Sequence, residues 1–114
     1  MLFLTVFYVV AGLGLVLLAL PLIKRKAKPN VLYGFRVPQT LNNPALWYEV
    51  NAYFGRWLLA SGAATVLAAV ALYPAKLSVD AYAWAVLVAF AVVFVPGLVL
   101  SWRHMNRWAK STTP

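Results

Sequence analysis

Residues Leu2–Ile23 form an apolar run of about 22 residues, enough to cross a hydrocarbon core of roughly 30 Å as a helix. A cleaved leader is not expected here. The run has no basic segment before it, its apolar part is too long, and no small-x-small site precedes Lys24. It reads as a retained membrane helix, in which Gly12 and Gly14 are tolerated or let a neighbouring helix approach. Only 11% of the residues are charged, against about a quarter in soluble domains. That deficit assigns the chain to integral membrane proteins, and its length suits a single small bundle without a separate soluble domain.

Lys24-Arg25-Lys26-Ala27-Lys28 follows the first span and acts as a stop signal. The stretch Pro29–Gly62 then departs from the Ala, Val, Leu and Phe composition found elsewhere. It carries the sole Glu, Arg36, Arg56, several Asn and a group of aromatics. Gly34 frees the backbone and Pro38 holds Val37 extended, so residues 24–43 are expected to be an ordered loop. Asn43 is a good N-cap and Pro44 a good first helical residue. A helix is therefore predicted over 44–73, with the span itself over about 53–73. Its first turns would project into the interface or lean on protein. Trp47, Asn51, Gly55, Leu58, Gly62 and Thr65 share one stripe of this helix, a candidate helix contact. Glu49, Tyr53 and Arg56 lie roughly opposite. Glu49 and Arg56 are too far apart for a local ion pair, so each needs another partner or water.

Tyr73-Pro74 ends that helix. Ser78 or Asp80 caps the next, whose span is predicted over 81–102 with a kink at Pro96-Gly97. A basic tail over 103–114 follows and is expected to fray after Lys110. The predicted fold is thus all-α: an integral membrane bundle of three transmembrane helices in one domain, 1–114. Lys24, Arg25, Lys26, Lys28 and Arg36 precede the second span and Arg103, Arg107 and Lys110 follow the third, whereas the 74–80 turn holds only Lys76 with Asp80. By the positive-inside rule the N-terminus lies outside and the loop and tail are cytoplasmic. Trp47, Tyr48, Trp57, Trp102 and Trp108 are expected at the cytoplasmic boundary, and Tyr73, Tyr82 and Trp84 at the outer one.

A net charge of +8 sits in segments beside apolar spans, so anionic lipid headgroups are the expected partner and nucleic acid is not. Without cysteine there is no thiol chemistry, and one His, one Glu and one Asp are too few for most catalytic or metal constellations. The chain is read as a non-enzyme without a cofactor. His104, alone between basic neighbours, is expected to be solvated or lipid-facing. Arg36, between Gly34 and Pro38, is expected to staple the loop to the bundle through Glu49 or helix-end carbonyls, with direct binding of a carboxylate or phosphate ligand as the alternative, and to join Trp47 and Asn51 in one constellation.

Gly34-Phe35-Arg36-Val37-Pro38, Thr40-Leu41, Asn43, Trp47, Asn51 and Gly55, at their spacing, resemble the motif of the SdpI family of bacterial membrane proteins. Val37 stands where that family usually has Thr, and Gln39 where it often has an aromatic. The resemblance implies an immunity role in the bacterial cytoplasmic membrane, by binding a membrane-active peptide toxin, and a capacity to hold a cytoplasmic regulator at the membrane. The alternative reading is a structural subunit of a larger membrane complex or of a homo-oligomer. Small-molecule transport is disfavoured, because three spans hold few polar lining residues.

Overall fold

The computed structural model describes residues 2–26 and 38–112, the side chains of 38, 39 and 109–112 excepted. The order is α1 (Leu2–Ile23), a single turn α2 (Pro38–Leu41), α3 (Pro44–Leu72), a 3₁₀ turn at Tyr73–Ala75, and α4 (Val79–Thr112). Among the described residues, three helices are long and apolar enough to cross a membrane: α1, α3 and α4. The fold is an all-α membrane bundle. Its long axis measures 57 Å, against roughly 30 Å of hydrocarbon, so the helix ends extend beyond the lipid core. Phe3, Val6, Val10, Leu17, Leu67, Val88, Val92 and Val99 are exposed. In a bilayer that exposure is contact with lipid.

Helix α3 is the axis, with α1 and α4 each packed along it. Its start is set by local chemistry: the Asn43 side chain accepts the Leu46 N–H at 3.2 Å, and Pro44 occupies the first helical position. At the other end the chain turns through Lys76, whose backbone is left-handed at φ 57°. Ser78, rather than Asp80, caps α4, its Oγ accepting the Ala81 N–H at 3.2 Å. Helix α4 then continues through Pro96 to Thr112. The basic segment after Trp102 thus continues the helix as far as Thr112.

Two cores lie along the axis. Near the end where α1 finishes and α3 starts, here the basic end, Ala19 and Leu22 meet Leu46, Val50, Phe54 and Leu58 of α3 and Met105 of α4. Near the turn end, Tyr8, Ala69, Tyr82 and Val86 pack together.

The α1–α3 seam depends on glycine. A Cβ on Gly62 would lie 2.5 Å from the Gly12 carbonyl oxygen, and one on Gly12 would lie 2.7 Å from the Gly62 carbonyl oxygen. Here the two backbones touch directly, the geometry of reciprocal Cα–H···O contacts. Gly55 approaches the Ala19 carbonyl and the Leu22 and Ile23 side chains. On the other seam Gly97 lies under the Trp57 ring, so the residue after Pro96 serves close packing against α3.

Helix α1 closes with a Schellman motif. The Lys26 N–H bonds the Pro21 carbonyl at 2.8 Å and the Arg25 N–H bonds the Leu22 carbonyl at 3.2 Å. The left-handed position that such a motif requires is filled by Arg25, φ 59°, where glycine is usual.

Candidate functional site

Of the motif residues, Thr40, Trp47, Asn51 and Gly55 are buried at the basic end, whereas Leu41 and Asn43 are exposed. Gly34 and Arg36 lie outside the described residues. Pro38 opens α2, Thr40 is buried, and Asn43 caps α3. Trp47 is 0% exposed and Asn51 1%, and the Asn51 Nδ2 donates to the Trp47 carbonyl at 3.0 Å. Trp47 is therefore a core residue and not part of an interfacial belt. Gly55 and Gly62, further along the same stripe, face α1.

The opposite face of α3 holds a polar junction. Arg25 Nη2 donates to Glu49 Oε2 at 2.8 Å, and His104 Nε2 meets Glu49 Oε1 at 3.0 Å. An ionised carboxylate offers only acceptors, so in this contact His104 carries its proton on Nε2. The imidazole also stacks on Tyr53, with centroids 4.3 Å apart and planes 9° from parallel. One carboxylate on α3 thus fastens the C-terminal end of α1 and the distal part of α4. His104 is a structural partner, not a solvated or lipid-facing group. Glu49 side-chain exposure is 26% and that of Arg25 is 51%, so the junction is open on its outer side.

At the turn end a second polar set joins the same helices. The Thr5 hydroxyl donates to the Tyr82 hydroxyl at 2.8 Å, which donates to the Ala69 carbonyl at 2.7 Å. The Tyr8 hydroxyl donates to the Ala83 carbonyl at 3.1 Å. Tyr82 is fully buried rather than interfacial. Between the two ends α1 and α4 leave an apolar recess of about 200 Å³. Phe7, Ala11 and Leu15 line one side, Val86 and Phe90 the other, and Thr65 of α3 the floor. The Thr65 hydroxyl is occupied by the Ser61 carbonyl at 2.8 Å. The lining therefore presents hydrocarbon, and an occupant has to be apolar.

The profile of the SdpI/YfhL protein family matches residues 26–101, more than half of the chain. The chain belongs to that family. No curated protein and no solved structure matches it. This SdpI-family chain is a multi-pass membrane protein, and its matched region spans the motif, all of α3 and the apolar length of α4.

The polar partners at both ends are what sequence reasoning did not pair. Arg25 was hidden within a basic run that topology alone explains. His104 and Glu49 are 55 positions apart, and helical periodicity relates only residues on one helix. Thr5, Tyr8 and Tyr82 carried a weak signal, as hydroxyls within otherwise apolar spans that need partners inside the bundle. Among the described residues no three His, Asp or Glu side chains converge on a site suited to a metal.

Proposed function

We propose that this SdpI-family protein is a non-enzymatic protective factor of the bacterial cytoplasmic membrane that binds a membrane-active peptide. Its N-terminus lies outside and its basic end is cytoplasmic. Family membership across residues 26–101 carries the reading. Two features of the structure support binding over chemistry. Most of the buried polar groups, Ser101 Oγ excepted, are engaged within the bundle, and so is Glu49: Glu49 with Arg25 and His104, Thr5 with Tyr82, and Tyr82 with the Ala69 carbonyl. The recess between α1 and α4 offers apolar walls at the level of the lipid. A helical peptide lying in the bilayer reaches that recess with one or two apolar side chains without disturbing either polar junction.

Protection of a sensitive bacterial strain against a panel of secreted membrane-active peptides tests the reading. Cells expressing the wild-type chain are expected to survive at least one peptide that kills control cells. Ala11→Trp fills the recess from its exposed rim and is expected to abolish survival at unchanged protein level and thermal stability. No protection against any peptide, together with stoichiometric co-purification of a large membrane protein, would instead establish the subunit reading.

A further inference from the structure

Charge in this protein is distributed unequally between its ends. The contacts of Glu49 with Arg25 and His104 place the C-terminal ends of α1 and α4 together. Lys24, Lys26, Arg103 and Arg107 are all exposed at that end. The acidic side chains of the whole chain are Glu49 and Asp80. Glu49 is engaged by Arg25 and His104, and Asp80 lies in the first turn of α4 at the opposite end. Among the described residues, then, the exposed cations of the basic end have no carboxylate to neutralise them.

Arg103 and Arg107 are one helical turn apart, so they project from neighbouring positions on α4. The turn before them exposes Leu98, Val99 and Trp102. Val99, Arg103 and Arg107 form one strip, hydrocarbon first and guanidinium after. A ligand for this strip has to present an anionic group within one turn of hydrocarbon. Nucleic acid and the acidic surfaces of soluble proteins present little hydrocarbon beside their charge, whereas an anionic phospholipid in the bilayer has both in that order. Arginine suits the phosphate, because its planar fork offers paired donors to adjacent oxygens. Helix α4, with 34 residues, extends about 51 Å at 1.5 Å per residue, so its last turns emerge at headgroup level.

We propose that the basic end holds anionic phospholipid headgroups, with Arg103 and Arg107 as the principal ligands and Lys24 and Lys26 completing the cationic surface. The inference is independent of the peptide-binding reading.

The test is titration of the purified full-length chain in detergent with phosphatidylglycerol and with phosphatidylcholine of identical acyl chains, read by native mass spectrometry. Phosphatidylglycerol is expected to bind in preference, and 1 M salt to reduce that preference. Arg103→Gln/Arg107→Gln should lower the preference by about fivefold per arginine. Arg103→Lys/Arg107→Lys should restore most of it, and Lys76→Gln at the opposite end should leave it intact. Should the glutamine pair fail to fold, Lys24→Gln/Lys26→Gln provides the second variant and is also expected to lower the preference. Equal retention of the two lipids, or equal effects of Lys76→Gln and the arginine pair, would overturn the proposal. So would an oligonucleotide or acidic peptide that binds Arg103 and Arg107 without competition from phosphatidylglycerol.

Discussion

Replacing Gly62 by alanine tests whether backbone contact really sets the α1–α3 distance. The added methyl would lie 2.5 Å from the Gly12 carbonyl oxygen and 3.0 Å from Leu15 Cβ and Val16 Cγ2. The nearest of these atoms belongs to backbone, so no rotamer change relieves it and the helices have to separate locally by about 0.5–1 Å. A gap of that size forfeits roughly a quarter to a half of each affected dispersion contact. The reciprocal Cα–H···O contacts are lost as well, at about 0.5–1 kcal/mol each. Together these place the loss at about 1–3 kcal/mol, the usual range for overpacking. Gly14 is the internal control, since a Cβ there meets nothing within 4 Å. Gly14→Ala should be neutral or stabilising by up to about 1 kcal/mol, because alanine loses less backbone freedom in a helix. Reversible unfolding in mixed detergent micelles gives both values. In the double variant Gly12→Ala/Gly62→Ala the second methyl enters a seam already opened, so the two losses should fall short of additivity by at least about 0.5 kcal/mol. If Gly62→Ala unfolds at the same denaturant concentration as Gly14→Ala, the seam is not closed by glycine and the packing argument fails.

Other substitutions probe the junctions. At Arg25 the left-handed backbone costs a non-glycine residue about 1–2 kcal/mol, while a partly exposed ion pair contributes roughly 0.2–1 kcal/mol. Arg25→Gly should therefore be neutral to stabilising, by up to about 2 kcal/mol, and Arg25→Ala destabilising; equal melting temperatures for the two would refute the strain argument. Lys76→Gly, at φ 57°, should raise stability by about 1 kcal/mol, measured in the same unfolding assay. Tyr82→Phe removes the hydroxyl between Thr5 and the Ala69 carbonyl and should cost about 1–2 kcal/mol. Its effect and that of Thr5→Val should be coupled in a double-mutant cycle, and strict additivity would show that the two hydroxyls act separately.

What could be read from the sequence is what depends on residues near one another in the chain. Apolar length marks the spans, and Asn43-Pro44 marks the start of α3 because capping chemistry is confined to a single turn. The glycines at 55 and 62 stand out because they share one stripe with Asn51. What pairs with what across helices is another matter. Glu49 has acceptors to share, but nothing in periodicity names Arg25 and His104 as its partners. Trp47 illustrates the same limit: tryptophan near a span boundary suits an interfacial position, and only the tertiary packing decides for the interior. What holds the last turns of α4 is hidden for a related reason. Its last turns are polar, and Met105, packed in the core of the basic end, and His104, bonded to Glu49, hold them to α3 through contacts that composition does not reveal.

Helix α3 is the axis to which both neighbours are fastened at each end, and at the basic end Glu49 is the shared polar anchor beside the apolar core. Spin labels on cysteines introduced at Lys24 and Asn106, in a chain that has no cysteine of its own, report the distance between α1 and α4 there. A second pair at Leu2 and Val79 reports the turn end. With Glu49→Ala, the first distance distribution is predicted to broaden and lengthen while the second keeps its wild-type form. An unchanged distribution at Lys24 and Asn106 would contradict the account, because the apolar contacts of Leu22 and Met105 with α3 would then suffice to hold the two helices at that end without Glu49.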